Sequence, residues 1–268
     1  MTQSVLDRDP PPADERISYG DAALQFSDLR TPSGKGPHPC IIAIHGGFWR
    51  NTYDLEHLGH LCAALTDQGL ATWNIEYRRA GDRGGGWPGT FRDVNAASRY
   101  VFDHAAELGI DPDRVIVLGH SAGGHLASWL TSMENVPADS TIREEPLPFR
   151  GAVSLAGVLD LRQGWTENLG NGAVVNFLGG TPDDVPDRFG AASPIALLPS
   201  PVPHLIVHGS EDGNVPMRMS VAYHVTATRL GGTASLLKLP GADHFDVIDP
   251  DSPFWPEIVS AILDLVEA

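Results

Sequence analysis

A chain of 268 residues can bury about three quarters of its extended surface around one large core, without disulfide or metal staples. Eighteen basic against 34 acidic side chains, a formal charge of -16, leave no cationic face for nucleic acid or for an anionic membrane. An uncharged small molecule is the partner that this balance leaves open, and 42% hydrophobic with 19% charged residues is the composition of an ordinary soluble globular protein.

Residues 1–16 are acidic and Pro-rich, without the basic and apolar regions of a secretory leader, and are expected to form a flexible tail. Residues 17–268 then form a single domain. No stretch has the apolar length of a membrane span. Cys40 and Cys62 lack C-x-x-C spacing, which argues against a disulfide framework or a cysteine zinc site and fits two buried thiols in a cytoplasmic protein.

Between Tyr19 and Leu29 the run Ala23 to Leu29 alternates apolar and polar residues, as a half-exposed edge strand does. Thr31 to Pro39 is a turn. Cys40 to Ile44 is a continuous apolar run that belongs in a sheet covered on both faces, and it ends in His45-Gly46-Gly47-Phe48-Trp49. Two glycines there allow a backbone turn that aims N–H groups into a cavity. Leu55 to Gln68 has helical spacing and a stop at Gly69. Ala71 to Tyr77 is a strand, and Gly81 to Gly89 lacks the G-K-[ST] ending of a phosphate loop, so it reads as a flexible crossing. Phe91 to Leu108 is a long amphipathic helix, and Asp111 to Arg114 turns the chain into Val115 to Leu118, the next strand.

Gly119-His120-Ser121-Ala122-Gly123-Gly124 follows at once and leads into the helical segment from His125 to Leu130. The pattern G-x-S-x-G between a strand and a helix needs small residues at both ends, because a Cβ at either flank would collide with the neighbouring strand or helix. The turn lifts the Ser121 hydroxyl above the sheet, with free N–H groups of the helix start behind it. Phe149 to Leu155 is another apolar strand. From 161 to 203 periodicity is lost, and a segment of that length between core strands reads as a lid. His204 to His208 resumes the sheet and precedes a loop with two acids, Glu211 and Asp212. A helix over Met217 to Leu230, a strand over Ala234 to Leu239, the loop bearing Asp243, His244 and Asp246, and a helix over Pro253 to Val266 complete the chain.

Strands and helices alternate throughout, which predicts an α/β fold with a mostly parallel central sheet and helices on both faces. Ligands bind such sheets beyond the carboxyl ends of the strands, and His45, Ser121, Asp212 and His244 all follow strands. The spacing therefore predicts Ser121 as nucleophile, His244 as its base and Asp212 as the group that holds the imidazole, with the N–H groups of Gly47, Phe48 and Ala122 receiving an oxyanion. Glu211 and Asp160 are rival acids. Asp243 and Asp246 read as loop formers, His120 as packing beside the serine turn, and His45 as a brace within its own loop. His57 and His60 stand three apart on a helix but lack a third metal ligand. Trp49, Trp87 and Trp165, with Phe48, are candidates for the wall of an acyl or aromatic pocket, and core packing explains any one of them equally well.

The order Ser121, Asp212, His244, with the G-x-S-x-G turn and the upstream His-Gly-Gly, resembles the α/β-hydrolase superfamily from about Ala23 to the C-terminal helix. His45 to Trp49 together with Gly119 to Gly124 is similar to its esterase and lipase group, which includes hormone-sensitive-lipase-like, feruloyl-esterase-like and arylformamidase members. His208 to Pro216 resembles the acid loop of that group, which favours Asp212 over Glu211, and Gly241 to Phe245 its histidine loop. Phe48 stands where the H-G-G-G form has a third glycine, closer to the H-G-G-x-W form of arylformamidases, and the long N-terminal helical cap of hormone-sensitive-lipase-like enzymes is missing. The resemblance implies a serine hydrolase without cofactor or metal, acting on a small or medium carboxylic ester. N-formylkynurenine or another aryl formamide is the second choice. A peptidase, or an inactive binding protein on the same scaffold, stands further off.

Overall fold

Apolar runs without polar alternation form the middle of an eight-stranded sheet in the computed structural model, which describes residues 4–268. The first three residues of the expected tail lie outside the described residues. The strands are β1 (Glu15–Ser18), β2 (Phe26–Arg30), β3 (His38–Ile44), β4 (Ala71–Ile75), β5 (Ile110–His120), β6 (Gly151–Leu155), β7 (His204–Gly209) and β8 (Ala234–Leu239), in the order β1-β2-β4-β3-β5-β6-β7-β8. β2 runs antiparallel to both of its neighbours, and β3 to β8 are parallel.

The helices are α1 (Gly59–Asp67), α2 (Gly89–Asp103), α3 (Ala122–Leu130), α4 (Leu161–Thr166), α5 (Ala173–Leu178), α6 (Pro186–Ala192), α7 (Met217–Arg229) and α8 (Trp255–Glu267). They cover the two faces unequally. Cys40, Ile42 and Ile44 of β3 face a layer holding Trp73, Phe91, Trp129, Phe177 and Tyr223, whereas Ile41 and Ala43 face Leu61 and Leu65 of α1 and Ile258 and Ile262 of α8. The period-two split of one continuous apolar strand between two cores is why it shows no alternation in the sequence. Register then brings the loops together: Ile44 lies beside Gly119, and His120 beside Leu155, so the turns after β3, β5 and β6 open on the same edge.

Three expectations change. From residue 4 onward the expected tail is a strap: Val5 is buried with Leu58 and Ile248, Arg8 forms ion pairs with Asp249 and Asp251, and β1 pairs with β2. Asp111 to Arg114 is part of β5 rather than a turn before it, because Ile110 pairs with His38 ahead of a register shift in β3. Residues 161–203, expected as a lid, carry α4, α5 and α6 and bury Phe177, Leu178 and Phe189 against α3. Trp129 Nε1–H donates to Ala191 O at 3.1 Å, a ring nitrogen of His125 meets Ala192 O at 2.9 Å and Phe177 stacks on Trp49, so the segment packs against α3 and the loop after β3.

Candidate active site

The serine turn is strained in the way its glycines imply. Ser121 has φ 55° and ψ -117°, a conformation that L-residues seldom adopt and that surrounding structure must enforce. A Cβ on Gly119 would stand 2.1 Å from Gly123 O, and one on Gly123 would stand 1.9 Å from Ile44 O. Neither glycine tolerates a side chain. The main chain thus crosses close behind Ser121 and lifts its side chain into a cavity of about 80 Å³ that is also lined by Gly47, Phe48, Tyr53, His57, Asn214, His244 and Phe245.

Asp212 sits in the loop after β7, where its Oδ1 accepts the N–H groups of Asn214 and Val215, both at 2.8 Å. Its Oδ2 accepts from His244 Nδ1 at 2.7 Å, and His208 Nε2 lies 3.1 Å from the same oxygen. Burial alone pushes this carboxyl up, but the hydrogen bonds from His208 and His244 together with the charge of His244 outweigh it and hold the carboxyl well below the usual carboxylate range. Asp212 is therefore an anion throughout the neutral range. It also fixes the tautomer of the neutral His244 ring: Nδ1 carries the proton, and Nε2 is left with a free lone pair.

The rival acids have other work. Asp160 caps α4, accepting from the N–H groups of Arg162 and Gln163, and Glu211 is exposed. Asp243 and Asp246 hold their own loop, with Asp243 Oδ1 accepting from the N–H groups of Phe245 and Asp246.

Gly47, Phe48 and Trp49 all have positive φ, at 105°, 52° and 55°. Among the described residues the N–H groups of Gly47 and Phe48 meet no backbone acceptor, and the Ala122 N–H opens α3, where no intrahelical acceptor exists. Behind this loop stands Glu76, which the sequence reading did not single out. Glu76 Oε2 accepts from the Leu55 N–H at 3.0 Å, and Oε1 lies 3.0 Å from Arg79 Nη1 and 3.6 Å from His45 Nε2. Burial opposes its charge, yet the His45 and Arg79 contacts keep it anionic by lowering its pKa. His45 stacks on Tyr77 at 4.4 Å between ring centres, and Tyr77 Oη–H donates to His45 O. His45 also braces its own loop as expected, with Nδ1 2.8 Å from Gly46 O, and the side chains of Glu76 and Tyr77 add to that brace.

Among the described residues no cluster of three or more His, Cys, Asp or Glu could hold a metal ion. His57 faces the cavity, whereas His60 turns to Arg8 O at 3.2 Å.

The tryptophans expected at the pocket stand elsewhere. Trp49 is fully buried, stacked on Phe177 at 4.7 Å with Nε1–H donating to His125 Nδ1 at 3.2 Å. Trp87 packs against Phe91 and under the Arg188 guanidinium, and Trp165 lies on the surface at 39% exposure. Large aromatic side chains carry so much apolar area that a core claims them first. Tyr53, His57, Asn214 and Phe245 form the wall instead. Asn214 and Phe245 adjoin Asp212 and His244 in sequence, His57 is legible only as a metal-ligand candidate, and Tyr53 carries no sequence signal. A larger hollow of about 450 Å³ lies under the N-terminal strap, lined by Pro10, Arg16, Arg30 and Glu56 among others, but it holds none of the nucleophile and base groups just described.

Comparison with known proteins gives the family and the fold. The BD-FAE family model matches residues 28–226. This chain belongs to the BD-FAE family. It lies within the esterase and lipase group of the α/β-hydrolase fold. Among curated relatives, esterase LipC of Mycobacterium tuberculosis is 28% identical over 252 residues, covering 87% of this chain and 60% of its own length. Esterase LipQ of the same organism is 30% identical, covering 78% of this chain and 51% of its own length. The chain thus spans about half to three fifths of these curated relatives. A truncated form of a carbohydrate esterase from gut microbiota superposes with a TM-score of 0.80 at 22% identity, covering 96% of this chain and 99% of that one. Thermogutta terrifontis esterase 2 phosphoramylated by tabun gives 0.77 at 24% identity, covering 97% of each chain. Both show the shared fold.

Proposed function

We propose that this BD-FAE family member is a serine hydrolase of carboxylic esters with short acyl groups, working through an acyl-enzyme. The observation that carries the reading is a single small cavity walled by both Ser121 and His244, with Asp212 Oδ2 at 2.7 Å from the far side of the same imidazole. Ser121 Oγ attacks the ester carbonyl while His244 Nε2 takes its proton. Asp212 stabilises the imidazolium that forms, and the N–H groups of Gly47, Phe48 and Ala122 receive the oxyanion. His244 then returns the proton to the leaving alcohol and activates the water that frees the acid.

The esterase names of the relatives support the chemistry, and the cavity volume supports a short chain. About 80 Å³ is small beside the roughly 300–1,000 Å³ of ligand pockets, which favours a short acyl group. Ser121→Ala is expected to lower kcat on p-nitrophenyl acetate by about 10⁶-fold, and residual turnover within tenfold of the parent overturns the assignment. The formamide reading drew on Phe48 and Trp49. With Trp49 in the core, only Phe48 still supports it, and a kcat/KM for N-formylkynurenine a hundredfold above that for the acetate would reverse the ranking. Among the described residues no helix is long and apolar enough to cross a membrane, and the buried free thiols of Cys40 and Cys62 suit a reducing compartment such as the cytoplasm.

A further inference from the structure

Two buried imidazoles lie beside the cavity and take no part in the proton transfers above. His120 Nε2 is 2.9 Å from the main-chain carbonyl oxygen of His244, and His120 Nδ1 is 2.7 Å from His57 Nε2. A carbonyl only accepts, so His120 Nε2 must carry a proton and donate it. Burial, with the nearby His244 and His57 adding to it, pushes the His120 pKa well below its ordinary value, so the ring is neutral and its Nδ1 is a bare lone pair. His57 must then donate from Nε2. Burial pushes the His57 pKa down to about 3, so its own Nδ1 is bare as well, and that atom is buried without a partner. Each proton position forces the next, and every donor points toward His244.

The two ends of this chain are anchored differently. His57 belongs to the 3-10 turn Leu55–Leu58, whose Leu55 N–H is held by Glu76 and whose Leu58 sits in the core against the sheet. The far end is the loop of His244, whose side chain is already held by Asp212. One contact on the ring fixes the tautomer but leaves the main chain behind it free to shift; a second contact on the carbonyl removes that freedom. Shifts of about 1 Å in a catalytic group are costly, because the proton transfer needs a hydrogen-bond geometry.

We propose that His57 and His120 are positioning residues, a two-imidazole strut that runs from the turn before α1 to the main-chain carbonyl of His244 and sets where Nε2 meets Ser121. Its kinetic consequences rest on the ester-hydrolase reading; its proton positions do not. The first measurement is nitrogen NMR of the intact protein labelled with ¹⁵N-histidine at neutral pH. Both rings should be neutral with the proton on Nε2, and a coupling should cross the His57–His120 hydrogen bond. An imidazolium, or a proton on Nδ1 of either ring, overturns the strut whatever the reaction.

The second measurement is steady-state hydrolysis of p-nitrophenyl acetate. His120→Phe should lower kcat by about 30-fold with KM within twofold, and His120→Gln, which can both donate and accept, should recover most of the loss. The control is His204→Phe. His204 is another buried imidazole, bonded to Thr131 and Tyr223 near the opposite end of β7, and its loss should destabilise the fold while kcat stays within twofold. A kcat for His120→Phe within twofold of the parent, or a Gln variant no better than Phe, overturns the proposal. Should the parent fail to hydrolyse any acetate ester while the NMR pattern is as stated, the ester reading falls and the strut stands as the support of the His244 loop.

Discussion

Two pairs of side chains a few ångströms apart use histidine for opposite ends. In the Asp212–His244 pair the imidazole faces an anion at 2.7 Å, a partner that would stabilise its cation in the proposed reaction. In the His57–His120 pair the hydrogen bond has the same 2.7 Å length, but neither ring is hydrogen-bonded to a carboxylate and burial favours the neutral form of both. Distance does not separate them; the partner's charge does. A carboxylate partner favours the cation of a buried imidazole, and burial without one favours the neutral ring.

The largest effect comes from making the first pair resemble the second. Asp212→Asn keeps the shape and removes the charge, so His244 loses both the partner that fixes its tautomer and the anion that stabilises its cation. kcat should fall by about 10⁴-fold while the far-ultraviolet circular dichroism stays unchanged. Trp49 and His125 extend the neutral side of the contrast, because His125 accepts from the Trp49 indole at Nδ1 and uses Nε2 to hold Ala192. Trp49→Ala should therefore cost about 3–5 kcal/mol in denaturant unfolding, the cost of emptying a packed core, whereas Trp165→Ala at the surface should change stability by no more than about 0.5 kcal/mol.

The smallest effect per residue sharpens the contrast through pH. His57 is pushed down to about 3, and His125 and His204 to about 4, all by burial. In the unfolded chain the same groups take up a proton near pH 6.5, so below that value the unfolded state binds more protons than the folded one. Stability is therefore full above about pH 6.5 and is lost as the pH falls, by about 2 kcal/mol per such imidazole at pH 5. Asp212, whose pKa is lowered, contributes in the same direction but only below about pH 4, where the unfolded carboxyl begins to protonate. Urea midpoints at pH 7.5, 6 and 5 should fall steadily, and a midpoint constant down to pH 5 would contradict neutral burial of these rings.

What could be read from the sequence followed from local chemistry. A strand, a glycine-flanked serine and a helix are contiguous, so the Ser121 turn is visible in six residues; the parallel sheet then places Asp212 and His244 on the same edge without further information. The pocket wall was not visible in this way. Trp49 lies in a conspicuous motif, yet which side of a positive-φ loop it faces is decided by Phe177, in a helix far along the chain. His57 was weighed as half of a metal pair with His60, because spacing on a helix shows which residues share a face and not which ring turns inward. Residues 4–16 read as a tail because Pro and Asp dominate, while their anchors include Val5 in the core and the ion pairs of Arg8 with Asp249, 241 positions away, and with Asp251. Strand β1 has four residues with an almost wholly exposed pattern, too little burial to leave a hydrophobic signature.

The positive φ of Ser121 sets fitness against folding. Holding an L-residue at 55° costs about 1–3 kcal/mol, a penalty that glycine at the same position would not incur. Ser121→Gly would therefore relieve this strain while removing the hydroxyl on which the proposed reaction depends, so local stability and the proposed chemistry pull in opposite directions at one residue.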